Sequence, residues 1–256
     1  FSTYICHPSL ANNELSGPVV AIFLAKYFLE KRNNYYTYRF VFAPETIGTI
    51  TYLSIELAHL KKNVIAGYVM TCVGDDGIFS YLQTKKENTL VDRATIHVLE
   101  NIEGEYNLYD YLKRGSDERQ YCAPGIDLPI GSLMRTKYCE YPEYHTSGDN
   151  LDIIKPNELK KSLEMYKLCV DVIENNRFYK STVKCEPQFG KRGLYSAIGI
   201  KKENNEVPIM MNLLAYCDGL NDLLWIAEKI NEPIIKLIPI VNVLLKNSLL
   251  EEVNNK

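Results

Sequence analysis

The first 180 residues alternate short runs of strand-forming residues with longer segments of helical periodicity. The apolar runs YTYRFVFA (36–43) and NVIAGYVMTCVG (63–74) have the character of strands, and TITYLSIELAHLKK (49–62) between them has helical spacing. Strands that alternate with helices predict an α/β fold, because a helix is the usual connection between parallel strands. We therefore expect a mixed, mostly parallel sheet flanked by helices.

Other segments extend this alternation along the chain. The second run is almost continuously apolar, which predicts a strand that is buried on both faces. The further elements predicted in this part of the chain are a strand over 1–6, a helix over 15–31, a helix over 89–102, a strand over 127–136 and a helix over 156–176.

The pattern breaks at KSTVKCEPQFGK (180–191), and three short helical patterns follow it, over 205–217, 219–231 and 233–250. Short helices joined by tight turns are typical of a winged-helix module. We place the domain boundary here, with an α/β domain over 1–185 and a winged-helix-like domain over 186–256. Because a strand is already under way at Phe1, we expect the first domain to lack its N-terminal part.

Composition excludes several classes of protein. The net charge of −3 is too small to indicate a nucleic-acid or membrane-surface protein. Seven cysteines without regular spacing are typical of free thiols in a reducing compartment, and no apolar run has the length of a membrane span. We expect a cytoplasmic protein with no membrane partner.

The charge of the second domain argues against DNA binding. From Lys191 onward there are eight Lys and Arg residues and eight Asp and Glu residues, and the third helix contains only Lys236 and Lys246 as cations. A domain that contacts phosphates needs clustered cations. We therefore expect a packing or homo-oligomerisation module and no nucleic-acid partner, despite the winged-helix pattern.

Three polar loops follow predicted strands of the first domain: CHPSLANNELSG (6–17), FAPETIGT (42–49) and YPEYHTSGDNLD (141–152). In open α/β sheets, sites form at the carboxyl ends of the strands. His7, Glu45 and His145 lie in these loops, and each alone has an ordinary interpretation as a loop residue. Together they predict a functional site, whereas His59 and His97 lie on predicted helices and are interpreted as structural.

The combination of CHPSLANNELSG, PETIG (44–48), GSDERQY (115–121) and PEYHTS (142–147) resembles the co-catalytic zinc aminopeptidases. More closely, it is similar to a bacterial aminopeptidase-like family whose members have a C-terminal winged helix. The resemblance covers nearly the whole chain. It implies a mixed sheet flanked by helices and a zinc-dependent hydrolysis of N-terminal peptide bonds.

The resemblance also implies roles for single residues. His7 matches the first metal-binding histidine of the family and His145 the last, and a neutral imidazole is a good zinc ligand. Glu45 matches the carboxylate that takes a proton from the attacking water. It would later return that proton to the leaving amine.

Departures from the family pattern limit the number of metal ions. The aspartate that bridges two zinc ions in the family is replaced by Asn13, with Glu14 next in line as a carboxylate ligand. The ligands of the second zinc are replaced by Thr46 and by an uncharged residue within 69–71, and Asp75 is interpreted as a solvated turn residue. We therefore expect one zinc ion at most, held by His7, His145 and either Glu14 or Asn13.

Other residues are candidates for the substrate end of the site. Asp117, Glu118 and Arg119 are candidates to recognise an amine or a carboxylate, and Tyr144 is expected to line the same region. Arg135 precedes the His145 loop, where it would polarise a carbonyl or form an ordinary ion pair. Cys6 adjoins His7, but side chains of adjacent strand residues point to opposite faces, so a Cys–His nucleophile is not expected.

The sequence thus predicts a zinc-dependent aminopeptidase-like hydrolase that cleaves an amide bond of a peptide or a small N-acyl compound. The alternative is a degenerate, non-catalytic module that binds a ligand or a partner, because only two of the three metal ligands are firmly assigned. A DNA-binding regulator is the third hypothesis. These hypotheses differ in their requirement for metal, for turnover and for salt-dependent DNA binding.

Overall fold

The computed structural model describes residues 1–31, 33–192, 194 and 206–253 of the chain. The chain forms two compact units, Phe1–Glu174 and Asn175–Lys256. The strand Phe178–Ser181 pairs with two later strands and so belongs to the second unit. The division between the units therefore precedes the boundary expected at 185/186 by one strand.

The first unit contains a six-stranded sheet. The strand order is β2-β1-β3-β6-β4-β5, and every neighbouring pair is parallel except β4 with β6. This arrangement confirms the predicted mixed, mostly parallel sheet. The strands are β1 (Ser2–Tyr4), β2 (Val41–Ala43), β3 (Gly67–Val69), β4 (Ser80–Leu82), β5 (Asn107–Tyr109) and β6 (Ile130–Met134).

Five α-helices belong to the same part of the chain, and they pack against the sheet and one another. Helix α1 contacts β1, and both α3 and α4 contact β6. One apolar cluster joins Leu53 and Leu60 of α2 to Val69 and Ile130 of the central strands. The helices are α1 (Ser16–Lys31), α2 (Ile47–Asn63), α3 (Leu90–Ile102), α4 (Glu118–Tyr121) and α5 (Pro156–Asn175).

The start of α1 approaches the sheet closely, and this explains the glycine of the first loop. A Cβ atom on Gly17 would lie 2.2 Å from the carbonyl oxygen of Met70 and 2.6 Å from Oγ1 of Thr3. Because neither the backbone nor this short side chain can move far, only glycine fits here. The close packing fixes the loop that precedes α1 against the carboxyl ends of β1 and β3.

The second unit contains a three-stranded antiparallel sheet of order β8-β7-β9 with three described helices. The helices predicted over 219–231 and 233–250 are each too long, because a strand occupies one end of each pattern. Asp222 caps the first of them by accepting a hydrogen bond from the Trp225 N–H at 2.7 Å. The elements are β7 (Phe178–Ser181), α6 (Glu206–Tyr216), β8 (Asp218–Asp222), α7 (Leu223–Ile230), α8 (Ile234–Lys246) and β9 (Leu250–Val253).

The third described helix of this unit, α8, contains two cationic residues, Lys236 and Lys246. Lys236 forms an ion pair with Glu232 at 3.2 Å, and Lys246 lies in the last turn. Asn205, the first residue of the helix predicted over 205–217, lies outside the described residues. Within the described ranges, no helix has both the length and the apolar character needed to cross a membrane.

Candidate metal and catalytic site

Three loops meet at the carboxyl ends of the strands. Strands β1 and β2 are parallel neighbours in which Tyr4 pairs with Ala43, so the loops that contain His7 and Glu45 begin at the same level of the sheet. The loop after β6 contains His145. The ring centroids of the two histidines lie 5.2 Å apart. The structure therefore brings together two imidazoles that are far apart in the sequence.

This spacing fits one shared metal ion. Two imidazoles bound to a single zinc ion through bonds of about 2 Å, at a tetrahedral angle, have ring centroids on the order of 5 Å apart. His7 is half-buried and His145 is exposed. The donor set is therefore open to solvent on one side, as a site that admits a substrate must be.

Glu14 is the acidic residue that faces His7. Its Oε2 lies 3.3 Å from Nδ1 of His7, and the same carboxylate accepts hydrogen bonds from the backbone N–H groups of His7 and Cys6. Burial raises the pKa of the Glu14 carboxyl, against the opposing effects of the Cys6 N–H and of His7. Glu14 is thus placed to supply a negative charge beside His7.

Asn13 is turned into the core. Its Oδ1 accepts a hydrogen bond from the Tyr4 hydroxyl at 2.9 Å, and the Tyr4 oxygen lies 2.5 Å from Oγ1 of Thr71. Thr71 in turn donates to the Asn13 carbonyl at 2.6 Å. The amide oxygen is therefore committed to an uncharged network, and of the two alternatives for the third ligand the geometry favours Glu14.

Glu45 lies in a loop that is held in an uncommon conformation. Glu45 is half-buried, and Thr46 after it has a positive φ of 62°, which is unfavourable for a β-branched residue. The Thr46 N–H donates to Oδ1 of Asp117 at 2.8 Å, and its hydroxyl accepts from the Arg119 guanidinium at 2.7 Å. Asp117 and Arg119 therefore fix the position of the Glu45 loop.

We expect the stability of the fold to depend on pH through Asp117. Burial raises the pKa of Asp117 from 3.8 to about 6. Between these values the native state retains a proton that the unfolded chain has released, so stability falls as pH rises through this interval, and the loss of about 2–3 kcal/mol persists above it. In urea unfolding at pH 4 to 7, Asp117→Asn should lack this dependence and be the more stable at pH 7.

The control for this measurement is Asp152→Asn, at an exposed aspartate of a loop. It should retain the pH dependence of the parent chain. An Asp117→Asn variant with the same dependence as the parent would contradict the assignment.

Glu118 and Arg135 were expected at the substrate end, and the structure places both in the interior. Glu118 is fully buried, and its carboxylate accepts from the N–H groups of Gly115 and Ser116 and from the Tyr138 hydroxyl. Arg135 forms an ion pair with Glu158 at 2.5 Å and lies over the Phe79 ring. These two residues organise loops and helices. Sequence could not reveal this, since buried and exposed ion pairs use the same residue types.

Tyr144 lies beside the metal-binding candidates. Its ring stacks on that of His145 with a centroid distance of 4.0 Å and an interplanar angle of 13°. Burial raises the pKa of its hydroxyl. His145 itself has a positive φ of 56°, so both ring stacking and backbone geometry restrict where its imidazole lies. His59 on α2 and His97 on α3 lie outside this group.

Asp149 is a part of the site that the sequence pattern did not predict. Asp149 is fully buried, and its carboxylate accepts hydrogen bonds from the backbone N–H groups of Ala11, Asn12 and Asn13 and from the Tyr141 hydroxyl. It therefore ties the His145 loop to the His7 loop. The sequence feature that could have predicted this role is the position of Asp149, four residues after His145 in a turn-like Ser-Gly-Asp-Asn segment.

Asp75 was wrongly interpreted as a solvated turn residue. It is buried, and its carboxylate accepts from the Asn12 side-chain amide at 2.7 Å and from the Thr136 hydroxyl at 2.6 Å. Asn12 also accepts a hydrogen bond from the Gly74 N–H. Asp75 therefore stabilises the first loop through Asn12. Asp149, in the loop that contains His145, stabilises the same first loop through its backbone N–H groups.

The expectation that Cys6 and His7 point apart was also wrong. Strand β1 ends at Tyr4, so the alternation of side chains between two faces does not extend to these residues. The Cys6 Sγ lies 3.3 Å from Nδ1 of His7. One ligand atom each from Cys6, His7 and Glu14 lie within 4.8 Å of one another.

Comparison with known proteins agrees with this architecture. A curated protein of Clostridium acetobutylicum, named "Putative polysaccharide biosynthesis protein with aminopeptidase-like domain", is 46% identical over 233 residues. The match covers 89% of this chain and 52% of that protein. A solved structure of a "putative peptidase" from the same organism has a TM-score of 0.90 at 42% identity and covers 98% of this chain and 56% of that one. The chain thus spans about half the length of these relatives.

More distant solved structures share the fold of the first unit. A zinc aminopeptidase of Bacillus subtilis has a TM-score of 0.52 at 16% identity, over 66% of this chain and 44% of its own. Residues 177–252 match the winged helix-turn-helix family. Residues 1–176 match the family described as "Domain of unknown function (DUF4910)". The chain therefore belongs to the DUF4910 family, with an aminopeptidase-like domain followed by a winged helix.

Proposed function

We propose that this chain contains the catalytic domain of a zinc-dependent hydrolase that cleaves an amide bond of a peptide or a small N-acyl compound. The observation that supports the proposal is the meeting of His7 and His145, with ring centroids 5.2 Å apart, beside the buried Glu14 carboxylate. Glu45 lies at the end of the neighbouring strand, where the mechanism requires a base.

His7, His145 and Glu14 are the residues that would hold the metal. When bound, a zinc ion lowers the pKa of a coordinated water towards neutrality and polarises the amide carbonyl. Glu45 acts as the general base that takes a proton and later delivers it to the leaving amine. Asp117 and Arg119 act through Thr46 by holding the Glu45 loop in place. Tyr144 orients the His145 ring.

The proposal requires one metal ion. At the positions where the family resemblance implies ligands of a second ion, this chain has Asn13, Thr46 and an uncharged residue within 69–71. Asn13 and Thr71 are bonded to Tyr4 in an uncharged network, and Thr46 is bonded to Asp117 and Arg119. These groups offer no carboxylate, and an amide or hydroxyl oxygen is a poor bridge between two cations.

Two classes of amide substrate are compatible with the site. The aminopeptidase-like fold favours a peptide with a free N-terminus. The name of the clostridial relative refers to polysaccharide biosynthesis, which favours an N-acyl amino sugar. Either class needs the same catalytic residues, since both reactions hydrolyse an amide bond.

The missing bridging carboxylate favours a second candidate function, a non-catalytic module that binds a related ligand. Asn13 is the residue on which this alternative depends, because a neutral amide there weakens any metal site. A binder would retain a peptide or an amino-sugar-like compound without metal and without product. Mass spectrometry of compounds recovered from the purified protein distinguishes it from a hydrolase.

We expect protein purified without chelator to contain about one zinc ion per chain and to hydrolyse aminoacyl anilides or N-acyl amino sugars. Elemental analysis and product assays check both points. His7→Ala should lose the zinc and the activity, whereas His59→Ala, at an exposed histidine of α2, should keep both. Protein with no zinc and no turnover on either substrate class would overturn the proposal.

A further inference from the structure

We infer that Cys6 is a direct thiolate ligand of the metal in the proposed site, together with His7, Glu14 and His145, and that the attacking water would enter as a fifth ligand. This inference rests on the proposed function. The family resemblance did not suggest it, and the alternation of side chains expected for a strand argued against it. It follows from the way the chain leaves β1.

The distances between the candidate ligand atoms support this assignment. The Cys6 Sγ and the Glu14 Oε2 each lie 3.3 Å from Nδ1 of His7. In a tetrahedral zinc site with Zn–S bonds of about 2.3 Å and Zn–N or Zn–O bonds of about 2.0 Å, neighbouring ligand atoms are roughly 3.3–3.6 Å apart. The sulfur and the carboxylate oxygen therefore each have ligand-like spacing to the His7 nitrogen, and all three atoms lie within 4.8 Å of one another.

Hydrogen bonds orient Cys6 towards the site. The Glu14 carboxylate accepts hydrogen bonds from the N–H groups of both Cys6 and His7, which fixes the backbone of these two residues around it. The N–H of Glu45 donates to the Cys6 sulfur at 3.2 Å. Hydrogen bonds of this kind from outside the coordination sphere orient a metal ligand and stabilise its negative charge. Contacts from the first loop and from the Glu45 loop therefore fix the position of the sulfur.

The charge balance of the site also favours a thiolate ligand. A zinc site in which Asn13 replaces an aspartate lacks one negative ligand. A Cys6 thiolate restores that charge, and with Glu14 it balances the two positive charges of the ion. A thiolate also shifts the preference of the site towards softer ions such as zinc, since thiolates bind these better than they bind magnesium or calcium.

The test uses cobalt(II), because cobalt bound to a thiolate has a charge-transfer band in the near ultraviolet and zinc has none. The full chain, stripped of metal and titrated with cobalt(II) under reducing conditions, should show this band together with the visible bands of a tetrahedral ion. Cys6→Ser should lose the charge-transfer band but still bind cobalt. Loss of an outer-sphere partner alone weakens metal binding about 10–100-fold, so we expect a loss at least as large here.

Cys185→Ser is the matched control, since this exposed cysteine lies in the second unit. It should retain both the band and the affinity. Cobalt binding by the parent chain without a charge-transfer band, or a band that persists in Cys6→Ser, would overturn the inference and leave the proposed function standing. Failure of the parent chain to bind cobalt or zinc at all would overturn both.

Discussion

Replacement of Glu45 by glutamine is expected to lower kcat/KM for amide hydrolysis by about 10²–10⁴-fold, which is the usual contribution of a general base. Glutamine has nearly the shape of glutamate but cannot accept a proton at neutral pH. The backbone N–H of residue 45, which donates to the Cys6 sulfur, is retained in the variant. Zinc content should therefore stay at the parent level while turnover falls.

The measurement needs steady-state kinetics and elemental analysis on the same preparation. Glu30→Gln is the control, because Glu30 is exposed on α1, where it forms a surface ion pair with Lys26. Its kcat/KM should equal that of the parent. If Glu45→Gln kept full activity with one zinc ion bound, Glu45 would not be the base.

The sequence predicted the sheet well where hydrophobic runs were long. Strand β3 lies within the predicted run 63–74, and the polypeptide stays buried from Tyr68 to Cys72 after the strand itself has ended. Strands β4 and β5 were missed because each has only three residues and, unlike the equally short β1, β2 and β3, does not lie within a long run of strand-forming residues. Strand β8 was missed because its sequence, DGLND, has the composition of a turn.

The histidines of the site could be predicted because they follow strands, and the order of strands brings such loops to one edge. The ligand geometry could not be predicted. It depends on where β1 ends, and two residues separate Tyr4 from His7. A strand that continued to residue 7 would have placed Cys6 and His7 on opposite faces, so a small error in an element boundary reversed the conclusion about Cys6.

The acidic residues show a different limit. Asp75, Asp117, Glu118 and Asp149 are all buried. Their sequence context is that of polar turns, in which most carboxylates are solvated. Burial of an acid requires several donors from distant segments, and a single sequence does not show which backbone N–H groups will meet which side chain. Only the folded chain distinguishes a buried acceptor from a surface charge.

Asp149→Ala is expected to lower the free energy of unfolding by about 3–5 kcal/mol, because three backbone N–H groups and the Tyr141 hydroxyl would lose their acceptor. Each buried donor left unpaired costs about 1–3 kcal/mol, part of which water entering the cavity recovers. Asp149→Asn keeps one oxygen acceptor and should lose about half as much. Urea unfolding monitored by far-ultraviolet circular dichroism measures both values.

The same change should separate the two halves of the metal site. Asp149 joins the loop that contains His7 and Glu14 to the loop that contains His145, so a folded Asp149→Asn variant should bind zinc more weakly than the parent. Asp152→Ala, three residues along in the same loop and exposed, should change stability by less than about 0.5 kcal/mol and leave zinc binding intact. Equal stability of Asp149→Ala and the parent would show that the loops are held together by other contacts. Weak zinc binding with preserved stability would assign to Asp149 the positioning of His145 alone.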